Sequence, residues 1–284
     1  MLKHAADRPA VMIALGVTTL DVAVYLTTPN AWWLLGYVAL MTCPKACLGA
    51  WNHHHQHSNM FRSPFMNRVL ELCFALQSGM APFLWVLHHN FGHHLNFLDQ
   101  TKDESRWKDR HGRRMGVVKY TLSVALTAYP RAFQVGRRFP ELQRRFVGYS
   151  VLLLAGVGGL VWYKPIPGLL LFVLPMVVGI LFVAWVTFDH HSGLFTTDEF
   201  EASHNVMHRW YNVLTGNLGY HTAHHHRQGL HWSQLPKLHE KIKDKIPAHC
   251  YRQSAYDIFF PPDDSELTLE LATARKASGD TVAG

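Results

Sequence analysis

Four apolar blocks set the terms on which this 284-residue chain can fold. They run from Ala10 to Thr28, Ala31 to Ala50, Phe146 to Tyr163 and Ile166 to Phe188. Each has about the 17–25 residues that a helix needs to cross a hydrocarbon core. Inside lipid every backbone polar group must find its partner within the protein, so the expected fold class is all-α and integral to a membrane. The links within the pairs are only Pro29-Asn30 and Lys164-Pro165, which makes the four spans two helical hairpins. The opening block does not read as a secretory leader. It lacks a clear small-residue cleavage site, and the second block starts three residues after it ends.

Only 17% of residues are charged, below the roughly 25% of ordinary soluble domains. Lys and Arg concentrate between the hairpins, whereas the outer links hold a single Lys. Because basic residues mark cytoplasmic loops, both termini and the connection are expected in the cytoplasm. All the histidine clusters then share that side. The expected layout is one domain over 1–260, with spans near 10–28, 31–50, 146–163 and 166–188. A cytoplasmic, histidine-rich helical cap comes from 51–145 and 189–260. The polar, small-residue tail over 261–284 reads as disordered. Asp21 is expensive in lipid and has to face protein, water or the interface. Two weaker apolar stretches, Val69 to Leu87 and Val117 to Phe133, carry Glu71, Gln77, Gly79, Pro82 and Pro130. They read as amphipathic helices at the interface or packed on the hairpins, with a third spanning pair as the alternative. Global disorder is excluded by the long apolar runs, and a disulfide scaffold by the four scattered cysteines.

Of 21 histidines, 18 fall in the windows 53–57, 88–94, 190–208 and 221–239. On a helix, residues three or four apart share a face. His53 and His57 therefore pair, as do His89 and His93, with His94 about 100° further round. His221, His224 and His225 repeat the pattern. His190-His191 directly follows the fourth span and offers one more imidazole, from either residue. Neutral imidazole is a strong ligand for divalent first-row metals. A structural zinc needs about four ligands, so eight or nine imidazoles suggest two ions with open positions. The runs His53–His55 and His224–His226 also fit a non-specific metal-binding tract. Chance repetition does not explain three ordered boxes, each adjoining a hairpin. His54, His55, His88 and His226 are expected to pack or hydrogen-bond around the ligands.

At these boxes the sequence resembles the membrane fatty acid desaturase and hydroxylase superfamily. His89-Asn90-Phe91-Gly92-His93-His94, followed by Asp99 and Asp103-Glu104, looks like that family's second box with its trailing acidic residues. Asn217 to Pro236, with His221, His224, His225, Trp232 and Leu235-Pro236, looks like its third. His191-Ser192-Gly193-Leu194, after Asp189 and His190, resembles the extra histidine of membrane alkane hydroxylases. The resemblance implies a non-haem di-iron site using O2, with ligands His53, His57, His89, His93, His94, His191, His221, His224 and His225. Asn217, Asp189, His190, Asp99, His54 and His226 would support them. It also implies a fatty acyl substrate, linked to lipid, CoA or a carrier protein.

The ligand set does not decide between desaturation, the leading expectation, and hydroxylation of a fatty acid or alkane. A zinc-binding or zinc-transporting membrane protein is a third reading. It would want polar residues inside the spans, where only Asp21 and Lys45 stand out. No haem or iron–sulfur motif is visible, so electrons are expected from a separate ferredoxin, rubredoxin or cytochrome b5. Arg106, Lys108, Arg110, Arg113 and Arg114 are the candidate docking residues, although membrane lipid headgroups would also attract them. No nucleic-acid partner is expected. The charge asymmetry makes a direct prediction: reporter fusions after Asn30 and Pro165 should report the far side, and fusions after Lys108 and at the C-terminus the cytoplasm. A lumenal or periplasmic signal at Lys108 would overturn the orientation.

Overall fold

The computed structural model describes residues 1–27, 30–254 and 256–261. The tail expected to be disordered lies, past residue 261, outside them. Four helices among the described residues are long and apolar enough to cross a membrane: Ala5–Thr27, Trp32–His57, Pro140–Tyr163 and Pro165–Phe188. The first contains α1 (Arg8–Thr27), and the second falls within α2 (Ala31–His57). Asn30 caps α2, its side chain accepting from the Trp33 amide at 2.9 Å. α2 runs seven residues past the end of its apolar block and so carries His53 and His57 outward on a rigid helix.

Ser63 and Pro64 then start α3 (Pro64–Ser78) as N-cap and first-turn residue, and Gly79 ends it in the left-handed conformation at φ 69°. A π-helical turn follows at Val86–Phe91. α4 (Val117–Gly136) and α5 (Pro140–Tyr163) come next, then α6 (Pro165–Phe188), which has a π-helical turn at Leu169–Val173. Beyond α6 lie three short helices: α7 (Arg209–Thr215), α8 (His221–His226) and α9 (Leu235–Ile242). Two-residue strands Asn205–Val206 and Tyr251–Arg252 pair in parallel.

The two hairpins meet at their link ends. The Tyr25 hydroxyl donates to the Leu160 carbonyl at 2.7 Å, and Lys164 Nζ donates to the carbonyls of Tyr25 and Leu26. Trp32, Trp33, Trp162 and Tyr163 are exposed at that end, where aromatic side chains favour a membrane interface. Along the hairpins the exposed side chains are apolar, Met12, Leu20, Leu40, Leu154 and Val177 among them.

α3 takes the second of its two expected placements, packed on the hairpins against α1, α2 and α6. It climbs beside α1 and α2 until the Gln77 amide donates to Asp21 Oδ2 at 2.8 Å. Asp21 lies 14 residues beyond Asp7, so this contact is about 21 Å up the helix at 1.5 Å per residue. The chain then turns back about two-thirds of the way along α1. Gly79 and Gly179 let the two backbones touch: a Cβ on Gly79 would strike the Met176 carbonyl, and one on Gly179 would strike Gln77. The returning backbone is satisfied from within the protein, as such depth requires. The Tyr129 hydroxyl donates to the Gly79 carbonyl at 2.9 Å and accepts from the Ala81 amide at 3.2 Å. This re-entrant excursion brings the second histidine box back to the end of α2.

Asp21 itself is fully buried, which resolves the cost anticipated for it. Lys45 Nζ lies 2.8 Å from one carboxylate oxygen, and Tyr37 donates to the same oxygen at 2.8 Å. One carboxylate thus ties α1, α2 and α3 together. Removing a single partner strands a buried charge, at a cost of about 3–5 kcal/mol, whereas replacing both by apolar groups can be neutral. Asp21→Ala should therefore lower the thermal unfolding midpoint in detergent strongly, and Asp21→Ala combined with Lys45→Leu should recover much of the loss. Additive damage in the double variant would show that the ion pair is not what holds this junction.

Candidate functional site

Four stretches of chain deliver their imidazoles to one place below the hairpins. α2 contributes His53 and His57 from its last two turns. The π-helical turn contributes His89, and the turns after it His93 and His94. His191 lies in the turn that ends α6, and α8 supplies His221, His224 and His225.

They sort into two adjoining groups. In the first, one ring nitrogen each from His53, His57, His89, His94 and His224 lies within 4.8 Å of all the others. The Nε2 atoms of His53 and His224 are 2.8 Å apart, those of His224 and His94 3.0 Å, and those of His94 and His89 3.0 Å. In the second, His93, His191 and His225 meet the same criterion. His191 Nε2 is 3.2 Å from His93 Nε2 and 3.2 Å from His221 Nε2, so His221 adjoins this group through His191. The His94 and His225 rings stack at 4.1 Å and join the two groups.

The second box departs from the helical expectation. His94 N donates to the His89 carbonyl, five residues back, in the wider π-type pattern. That winding places His94, not His93, beside His89 in the first group and sends His93 to the second. The third box is likewise divided, with His224 in one group, His225 in the other and His221 adjoining the latter. Regular α-helical spacing had put His89 with His93, and His221 with His224 and His225, on single faces.

The surroundings suit metal ions. Nitrogens bound to one ion at about 2.1 Å stand about 3 Å apart, which matches the separations here. Burial, and then the neighbouring imidazoles, push His94, His221, His224 and His225 well below the usual histidine range. Burial does the same to His89 and His191. These rings are neutral at physiological pH, the form that donates a lone pair. His57 Nε2, His221 Nδ1 and both ring nitrogens of His225 are buried without a hydrogen-bond partner. Each such orphan costs about 1–3 kcal/mol unless something takes its lone pair. Two rings are also oriented from behind: His93 Nδ1 meets Asp103 Oδ1 at 2.8 Å, and His191 Nδ1 meets the Ala202 carbonyl at 2.7 Å. Donation through Nδ1 leaves Nε2 bare toward the group.

The expected supporting residues fare unevenly. His190 is buried with its ring 4.0 Å from His221, outside both groups, so His191 is the residue the turn presents. His54 packs against His53 and points its Nε2 at the Thr215 carbonyl, 2.9 Å away. Asp99 does not reach the site. It is 41% exposed and pairs with Lys102, while Asp103 takes the role behind His93. Asp189 holds Arg252 through both carboxylate oxygens, at 2.6 and 2.9 Å, and its carbonyl meets Nδ1 of His204, an imidazole outside the two groups. His226 turns outward to Glu199. Asn217 stabilises its own turn at φ 63° and bonds the Trp232 carbonyl. Trp85, which the sequence did not single out, stands edge-on to His53 and His89 with ring centroids at 5.3 Å.

The sequence pattern of the family described as "Fatty acid desaturase" matches residues 30–257. The match covers most of the chain and all nine imidazoles, and the chain belongs to this family. Comparison with curated proteins and with solved structures gave no match. Its four apolar helices and this membership make it an integral membrane protein of desaturase or hydroxylase type, with a histidine cluster able to hold metal. The geometry predicts that Asp103→Asn, which keeps the shape but weakens the acceptor behind His93, will lower metal affinity about 10–100-fold with the fold retained. Unchanged metal content after dialysis against a chelator would remove Asp103 from this role.

Proposed function

We propose that the chain is an O2-dependent desaturase of fatty acyl chains, working through two irons held by the nine imidazoles. The observation that carries this reading is the wall shared by the site and an apolar cavity. Met80, Leu84, Val124, Ala128 and Ile180 line the cavity between α4, α6 and the re-entrant segment, and His89 of the first group lines it as well. An aliphatic chain lying there would present a carbon beside the imidazole groups.

When bound, the irons would supply the reduction of O2 and the removal of hydrogen from an unactivated carbon. The chain's own residues do the rest. Neutral imidazoles hold the ions without adding charge, and the all-nitrogen set suits iron as well as zinc or copper. Asp103 and the Ala202 carbonyl fix two rings from behind. Trp85 lines the cavity beside His89 and packs edge-on against His53 and His89.

Electrons would arrive from a separate acidic redox protein on the cap, with the site on the cytoplasmic side. The face suited to it is narrower than the basic run suggests. Arg106 lies 3.8 Å from Glu104, Lys108 sits over the Trp107 and Phe195 rings, and Arg114 donates to Ser192 Oγ. Arg110 and Arg113, with Lys119, are the exposed charges of the run. Charge reversal at Arg110 is the cleaner probe of docking, because Arg113 and Lys119 each lie 3.6 Å from Asp109 and Arg114 supports the turn that carries His191.

The test is iron-loaded protein in lipid, supplied with O2, an electron donor and acyl substrates. The expected result is O2 uptake coupled to a product lighter by two hydrogens. A product heavier by one oxygen would replace desaturation by hydroxylation. Bound zinc, with no O2 uptake after iron loading, would overturn the enzyme reading.

A further inference from the structure

The same cavity holds a feature that a purely aliphatic occupant would not explain. Four of its lining residues can hydrogen-bond through the side chain without belonging to either imidazole group: Trp85, His88, Ser105 and Thr187. Ser105 and Thr187 do not carry a buried unpartnered atom, and the Thr187 hydroxyl donates to the Ala184 carbonyl at 3.1 Å. Trp85 and His88 do. Trp85 Nε1 and His88 Nε2 are buried and have no hydrogen-bond partner, and the two residues are only 5% and 6% exposed. Trp85 is the N-cap of the π-helical turn and His88 lies within it, and both line the cavity next to His89.

Their chemistry restricts what can satisfy them. An indole N–H only donates, so its partner needs a lone pair, and an imidazole nitrogen can donate or accept. A hydroxyl or carbonyl oxygen meets both demands. A carboxylate is disfavoured because no Lys or Arg lines the cavity. An unpaired buried polar atom is also the feature that discriminates most sharply between an oxygenated ligand and its hydrocarbon analogue.

We propose that the cavity is a binding site for an aliphatic chain bearing a neutral oxygen, a hydroxyl or a carbonyl, which Trp85 Nε1 and His88 Nε2 hold beside His89. The proposal rests on reading this cavity as the acyl channel and adds a substrate class to it. The oxygen sits either along the chain or in the ester of a head group close to the attacked carbon, and both sources share this chemistry.

The experiment uses the full chain, iron-loaded and under nitrogen so that nothing turns over, in lipid nanodiscs. The probes are dodecane, 1-dodecanol, 6-dodecanol and 6-dodecanone at matched mole fractions in the bilayer, read by the shift in thermal unfolding midpoint. At least one oxygenated probe should half-saturate at a mole fraction about tenfold or more below dodecane, a difference of about 1.4 kcal/mol. Preference for 1-dodecanol places the oxygen at a head group, and preference for a mid-chain probe places it along the chain. Trp85→Phe, which keeps the ring against His53 and His89, should erase most of this preference. Ala125→Phe, which fills the cavity, should remove binding of every probe and so locates it. Equal half-saturation by dodecane and all oxygenated probes would overturn the proposal and leave the acyl channel standing, with water on the two nitrogens. If no probe binds, the channel reading and the proposal fall together.

Discussion

Nine imidazoles packed side by side stay neutral and keep their lone pairs free only if water is kept from them, and that condition shapes the rest of the molecule. A proton on one ring would occupy its neighbour's lone pair through an N–H···N bond, and a second protonated ring would repel the first across about 3 Å of weakly screened space. Helical ends, where four backbone carbonyls lack partners, are ordinarily wet. Here the end of α2 is instead closed over by the re-entrant segment, by the turn after α6 and by α8. Each of these closing pieces also supplies imidazoles, so the groups that need dehydration are carried by the groups that cause it.

The closure has to be anchored at depth, and Asp21 provides the anchor. Its carboxylate reaches Lys45 and Tyr37 on α2 and Gln77 near the end of α3, all at 2.8 Å. Fixing the tip of the excursion fixes its return path, and hence the entry of the π-helical turn with His89. A shift of one residue in that turn would exchange His93 and His94 between the groups. The cost of burying an ion pair is therefore set against positional accuracy at the site, which begins eight residues after Lys45 at His53 and twelve after Gln77 at His89.

Much of this was legible in the sequence because it rests on composition and coarse spacing. Four blocks of span length and two-residue links are enough to give two hairpins, and histidines at spacings of three and four next to those blocks are enough to give a histidine cluster able to hold metal. What was not legible depends on geometry that spacing does not encode. Nothing in His89-Asn90-Phe91-Gly92-His93-His94 announces a π-type turn, so the one-face rule paired His89 with the wrong partner. Asp99 and Asp103 are equally acidic neighbours of the box, and only the turns at 93–102 bring Asp103 behind His93 and leave Asp99 at the surface. Arg114 reads as one more charge in a basic run until its guanidinium is seen on Ser192. Asn217 was read as support for the ligands, but its positive φ shows a backbone role.

The division of the third box has a consequence for how the two groups behave. α8 is only six residues long, yet it gives His224 to one group and His225, with His221 adjoining, to the other. Such a short helix has no stability of its own and takes its position from what surrounds it. On one side the Asn205 side chain donates to Thr222 Oγ1 and accepts from the Thr222 amide. On the other, Asp7 receives hydrogen bonds from Trp232 Nε1 at 2.9 Å and lies 3.0 Å from His231 Nε2. Trp232 in turn packs edge-on against Trp51, one half-turn of α2 before His53. The foot of α1, the end of α2 and the third box are thus one packed unit. Any motion that opened one imidazole group would drag α8 and disturb the other, so the two groups form and dissolve together.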